Sequence, residues 1–253
     1  MISIIICSIA PAKLAAVKSK LSSLLDGEAH EFVDIHDAKS LAEGYNRGIA
    51  KSRGEILILC HDDIEILAQD FRERVLFRLR HFDLLGVAGS RRLAGPQWVS
   101  AGPPHIFGQV AHLDHADNSY DLYIWNAPAP CIGDIRVMDG LFLAGHRRVF
   151  EKVPFDEATF DGFHLYDIDF TFRAAKAGYK LAVCLDLMMI HASSGNFDER
   201  WHQYAERFAA KHYGQFSAIA PNSWQVMRVK VASKERLPEL LRSPDWRDWQ
   251  ETG

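Results

Sequence analysis

This sequence predicts an α/β architecture: a mostly parallel sheet with helices on both faces and a small antiparallel edge. Three observations lead there. Short apolar runs alternate with helix-periodic stretches four times within the first ninety residues. The runs are apolar at successive positions, as strands buried on both faces require, whereas a half-wetted sheet would alternate. Parallel neighbours need a crossover that packs back on the sheet, and the periodic stretches between the runs supply it.

The first run, Ile2–Cys7, is short and β-branched with no basic residue ahead of it. It reads as a buried strand and not as a secretory leader. Pro11 then opens a helix carrying Leu14, Val17, Leu21 and Leu24 at helical spacing, and Gly27 stops it. A second strand is expected over 31–35 and a helix over 39–51, where Leu41, Tyr45 and Ile49 share one stripe. The run 55–60 is a third strand leading straight into His61-Asp62-Asp63. A helix over 70–81 and a strand over 85–89 complete the alternation.

Between 90 and 137 Gly, Pro and aromatic residues are dense, which predicts loops and short strands along one side of the sheet. Regular structure is expected again at 139–144, in a helix over 167–177 ending at Gly178, and in a strand over 181–190 that delivers His191. The remainder divides as one domain over 1–200 (halves 1–90 and 91–200) and a helical tail over 201–253.

At 253 residues the chain suits one large domain with a modest appendage. Its 29 Lys+Arg against 33 Asp+Glu leave a net charge of −4, without the positive field a nucleic-acid-wrapping protein needs. No nucleic-acid partner is expected. Four scattered cysteines with no Cys-x-x-Cys pair exclude a cysteine zinc ribbon and fit a reducing compartment. No apolar run approaches the ~20 residues that span a bilayer. A cytoplasmic protein is expected, with room left for association at a membrane surface.

Three sets of residues could carry chemistry. Asp62 and Asp63 end a hydrophobic strand, where a hard cation would be welcome, although on spacing alone a helix cap or turn is the favoured reading of an Asp pair. Asp167 and Asp169 lie at a helix N-terminus, which stabilises acids by ~0.3–1 kcal/mol each. One can be the cap and the other a general base. His191 closes the last buried run, where a single His is usually structural. His105, His112 and His115 lack a carboxylate or thiol partner at zinc spacing and read as a solvated loop.

In order, these motifs resemble a family 2 glycosyltransferase of the GT-A fold. The run 2–8, the stretch Ala42-Glu43-Gly44-Tyr45-Asn46-Arg47-Gly48 and the run 54–64 are similar to its nucleotide-binding half. Met138-Asp139-Gly140-Leu141-Phe142 resembles its acceptor-side segment, the stretch 160–178 its Glu-Asp-x-Asp helix, and Ile190-His191-x-Ser193 its closing histidine. The likeness covers about residues 1–195 and is nearest to a bacterial branch with a His-Asp-Asp acidic motif.

The resemblance implies roles. Asp63 and His191 would hold Mn²⁺ or Mg²⁺, and Asp62 would touch the ribose or the metal's water shell. Asp34 or Asp37 would face the nucleobase, and Asn46 would lie on the nucleotide side. Asp167 would deprotonate the acceptor hydroxyl. The implied reaction is an inverting, metal-dependent transfer from a nucleotide sugar, with a UDP-sugar the first donor to test. The acceptor would be a hydroxyl-bearing glycan or small molecule, in the assembly of surface polysaccharide or glycoconjugate. Two departures stand out. His61 replaces the first acid of the usual run, and Tyr166 replaces the Glu before the base. Both leave room for a non-catalytic binder of nucleotide sugars or glycans on the same fold. A nucleotidyltransferase ranks last, because 8–13 has no glycine to cradle a triphosphate.

Overall fold

The computed structural model describes residues 1–193, 195, 197–218 and 227–240. It opens with β1 (Ile2–Cys7), α1 (Pro11–Leu24), β2 (His30–Ile35), α2 (Leu41–Lys51) and β3 (Ile56–Cys60). Pro11 starts α1 without a side-chain cap, and Leu14, Val17, Leu21 and Leu24 are its buried stripe. Ser40 caps α2 by accepting a hydrogen bond from the Glu43 amide at 3.0 Å. β1 pairs in parallel with β2 on one side and β3 on the other, so their carboxyl ends open together at Ser8, His36 and His61. That is the end of a parallel sheet where ligands bind.

The chain continues through β4 (Ile64–Ile66), α3 (Phe71–Arg78), β5 (Leu84–Gly86) and β6 (Ala88–Ser90). The strand expected at 85–89 is thus two short strands, one in each of two sheets. Next come β7 (Ile106–Asp114) and β8 (Ser119–Trp125), an antiparallel pair where loops were expected. Gly108, Gln109 and His112 interrupt the apolar pattern of β7 and hid it from periodicity. Short β9 (Cys131–Ile132) and β10 (Val137–Met138) lead to β11 (Phe142–His146), α4 (Arg147–Lys152) and α5 (Tyr166–Lys176). The run expected as one strand at 181–190 is β12 (Leu181–Cys184) and β13 (Met189–His191), separated by a 3₁₀ turn. α6 (Glu199–Lys211), β14 (Met227–Val231) and α7 (Leu237–Leu240) follow.

The first sheet has seven strands in the order β2-β1-β3-β11-β5-β12-β9, with β11 antiparallel to both neighbours. The second runs β10-β6-β7-β13-β4 and continues from β7 through β8 to β14. The class is the expected mixed α/β, sheets flanked by helices; antiparallel pairing extends beyond an edge into a second, mixed sheet, in which β7 and β13 are parallel. A large apolar core, from Ile2 to Phe208, runs under both sheets, and a smaller cluster of Ala111, Leu122, Ile190, Val231 and Leu237 packs apart from it. Beyond residue 200 the described chain is not helical throughout, because β14 joins β8 as an antiparallel strand. Residues 219–226 and 241–253 of the expected tail lie outside the described residues.

No helix among the described residues is long and apolar enough to cross a membrane.

Candidate active site

β3 ends at Cys60 and releases His61, Asp62 and Asp63 before β4 begins, while β13 ends at His191 and pairs antiparallel with β4. The His191↔Ile64 register brings residues 61–63 and 191 together. The Ala192 amide donates to the Asp63 carbonyl at 2.9 Å, which locks the two segments. His191 Nε2 lies 3.3 Å from Asp63 Oδ1, 3.4 Å from His61 Nδ1 and 3.1 Å from Ser193 Oγ. His61, Asp63 and His191 each offer one ligand atom, all within 4.8 Å of one another.

These residues fit a divalent cation. Neighbouring ligands of an octahedral ion with bonds of ~2.1 Å stand roughly 3.0 Å apart, near the 3.3 and 3.4 Å observed. Burial and then the neighbouring His191 hold the His61 imidazole below its ordinary range. Burial alone would raise the Asp63 carboxyl, but hydrogen bonds and charge from His191, with Ser193 and His61 adding, hold it well below the usual carboxylate range. Lys13 Nζ, which sequence reasoning did not single out, stands 3.6 Å from Asp63 Oδ2.

A cavity of about 880 Å³ opens beside this group, walled by His61, His191, Asp139, Asp167 and the rings of Trp98 and Trp125. Asp167 sits in the first turn of α5, next to Leu165, whose backbone is left-handed at φ 62°. That conformation is uncommon for a residue with a side chain, and its strain is held by burial of Leu165. Asp167 Oδ2 accepts the Gly140 amide at 2.7 Å. A Cβ on Gly140 would stand 2.5 Å from the Tyr166 hydroxyl and 2.7 Å from Asp167 Cβ, so only glycine lets this loop approach. Burial, reinforced by the Asp139 carboxylate, pushes Asp167 up to about 7. Asp139 has both oxygens engaged, by the Trp98 indole N–H at 3.1 Å and the Leu141 amide at 3.0 Å.

Asp169, the other acid of that helix, faces away from the cavity. It is fully buried and binds Arg173, Lys211 and His212, tying α5 to α6. Asp62 accepts the Ser8 hydroxyl at 2.5 Å, at the open ends of β1 and β3. Asp34 receives Lys18 Nζ at 2.5 Å, while its buried Oδ1 finds no hydrogen-bond partner among the described residues. Asp37 is exposed and paired with Arg47. Asn46 bonds the Phe155 amide and carbonyl and the Glu157 carboxylate, and it does not line the cavity. His112 and His115, expected in a solvated loop, line the cavity and bond the carbonyls of Ser193 and Ala192.

Asp139 and Lys13 were not singled out as site residues, although Asp139 lies in the 138–142 segment that resembles the family's acceptor side. Trp98 is one of the aromatic residues between 90 and 137 that suit stacking on a sugar ring, a role aromatic residues fill less often than core packing. Lys13 had no signal, because its place depends on a chain crossing.

The profile of the glycosyltransferase-like family matches residues 3–217, most of the chain and every element of this site. The chain belongs to the glycosyltransferase-like family. Among solved structures, it is similar to a mannosyltransferase from Pyrobaculum calidifontis in complex with GDP-Man and Mn²⁺. The identity is 14%, over 86% of this chain and 65% of that one, with a TM-score of 0.48. A Drosophila galactosyltransferase mutant in complex with manganese, UDP-Gal and xylobiose aligns at 13% identity. It covers 88% of this chain and 77% of that one, with a TM-score of 0.46. This glycosyltransferase-like chain thus spans a little under two thirds of the mannosyltransferase's length. No curated protein matches the sequence.

Proposed function

We propose that this member of the family transfers a sugar, with inversion and with a divalent cation, from a nucleoside-diphosphate sugar to an acceptor hydroxyl. The observation that carries the reading is the meeting of Asp63 and His191 beside one cavity that Asp167 also lines. Asp63 and His191 would hold Mn²⁺ or Mg²⁺, whose contribution is Lewis-acid stabilisation of the charge that develops on the leaving diphosphate. Asp62 and Asp34 do not line the cavity, but their position at the carboxyl ends of parallel strands supports contacts with the ribose and the nucleobase. For Asp37 and Asn46, engaged with Arg47 and with the 155–157 loop, a nucleotide contact would require those pairs to open.

Asp167 accepts the proton of the acceptor hydroxyl as that oxygen attacks the anomeric carbon. Its raised pKa suits this task, since a base titrating near neutrality removes a proton late in bond formation while remaining ionised in half or more of the molecules above pH 7. Asp139 holds two N–H donors and stays in place as the charge that tunes Asp167. One base on the acceptor side, with no second carboxylate assigned as a nucleophile, supports inversion. A UDP-sugar is the donor to test first, and a glycan hydroxyl the acceptor to test first.

The test follows donor consumption by the full chain with Mn²⁺ and a panel of nucleoside-diphosphate sugars. Asp167→Asn is expected to lower turnover by ~10²–10⁴-fold while leaving Mn²⁺-dependent nucleotide binding unchanged. Wild-type turnover in that variant removes Asp167 as the base. Tight nucleotide-sugar binding by the wild type with no turnover on any donor would favour the binding-module reading, which rests on the two replaced acids at 61 and 166.

A further inference from the structure

The two departures from the family pattern, His61 and Tyr166, are 105 residues apart in sequence, yet His61 Nε2 is 3.2 Å from the Tyr166 hydroxyl. The Tyr166 ring packs against Tyr45 with centroids 5.8 Å apart, which sets where its hydroxyl points. His61 Nδ1 lies 3.4 Å from His191 Nε2, beside Asp63, where one cation could be shared. An imidazole that binds a cation through Nδ1 carries its proton on Nε2, and the Tyr166 oxygen is the acceptor in reach of that N–H.

We infer that His61 Nδ1 is the third protein ligand of the cation held by Asp63 and His191, and that Tyr166 is a positioning residue that fixes the His61 tautomer by accepting from Nε2–H. This rests on the metal-dependent reading above and extends it to the choice of metal. A site with two imidazoles and one carboxylate is softer than the all-oxygen set Mg²⁺ prefers, so it selects Mn²⁺ over Mg²⁺. The pair of substitutions is then a matched exchange. Where an acid would bind the ion through oxygen alone, an imidazole takes its place, and it needs a partner behind it that a phenol provides.

Mn²⁺ and Mg²⁺ binding to the full-length chain by calorimetry, with pulsed EPR of the Mn²⁺-loaded protein, tests this without reference to turnover. The wild type is expected to bind Mn²⁺ with two coupled imidazole nitrogens and to bind Mg²⁺ at least tenfold more weakly. Tyr166→Phe keeps the ring packing against Tyr45 and Phe155 and is expected to weaken Mn²⁺ binding by ~10–100-fold, the usual cost of losing a partner behind a ligand. His61→Asp is expected to leave one coupled nitrogen and to narrow the Mn²⁺/Mg²⁺ ratio, and it decides the matter if Tyr166→Phe does not fold. One coupled nitrogen in the wild type, or unchanged Mn²⁺ affinity in folded Tyr166→Phe, overturns the inference and leaves the proposed function standing. A wild type that binds no Mn²⁺ even with nucleoside diphosphate overturns both.

Discussion

Asp167 has lost most of its solvent, and the nearest charge, on Asp139, is of the same sign. Both effects disfavour its ionised form, so the pH at which the proposed base would become competent is set by packing and a neighbour together. Turnover over substrate affinity is therefore expected to rise through pH about 7. Asp139→Asn removes the like charge but not the burial. The rising limb should move to lower pH by roughly one unit, read from the pH profile of kcat/KM. A profile that does not move would mean Asp139 does not tune the base. The same shift has a cost in stability. The folded chain holds a proton on Asp167 that the unfolded chain releases near 3.8, so this group's contribution is whole below about pH 4 and is lost as pH climbs through 7. Tyr166, one residue before it, contacts His61, so adjacent positions on α5 would serve the proposed base and the proposed metal site separately.

At the scale of elements, α3 illustrates what periodicity misses. Phe71 and Val75 form its expected buried stripe, but Arg78 is buried as completely as they are. Its guanidinium grips Asp186 with both terminal nitrogens, and Arg74 adds a further contact at 3.0 Å. Asp186 lies in the 3₁₀ turn between β12 and β13, so this pair fixes where β12 leaves the first sheet and β13 enters the second. That turn sets the position of His191. Asp186→Asn leaves a buried guanidinium without its counter-charge and is expected to cost about 3–5 kcal/mol in urea unfolding. The double change of Arg78→Met with Asp186→Leu should recover most of that loss, because two apolar groups need no compensation. A single variant as stable as the wild type would show that the turn is held by packing alone. The hairpin of β7 and β8 shows a second way an element escapes detection. Its inward face carries polar residues because it lines a cavity, so the alternation that marks a strand is broken where the site needs it broken.

The proposed metal-binding group would join the two sheets of the whole molecule. His61 follows β3 of the first sheet, and His191 ends β13 of the second. A cation held between them with a nucleotide is linked to global stability, since the unfolded chain cannot bring these residues together. At a free ligand concentration of 100 times Kd the linkage is worth about 2.7 kcal/mol, or roughly 5–10 °C in Tm for a chain of this size. Mn²⁺ with a nucleoside diphosphate is expected to raise Tm by that amount, and Asp63→Ala to abolish the rise in differential scanning calorimetry. An undiminished rise would place the cation elsewhere.

The α/β class and the first five elements are legible in the sequence, because apolar runs and cap chemistry act locally and leave local patterns; Asp63, Asp167 and His191 stand out as candidates only through the order of motifs that resembles the family. The second sheet was not legible, nor the direction of Asp169 away from the cavity, nor the partners of Asn46 and Asp37. Each of these depends on which distant segment arrives alongside. By itself the sequence determined which strands are buried and that acids and an imidazole lie at strand and helix ends. Only the tertiary structure decided which of those ends meet, that Asp139 faces Asp167, and that Tyr166 reaches His61. The reason is physical: distances of 3–4 Å between side chains remote in order are set by strand register and sheet crossing, which no local pattern encodes.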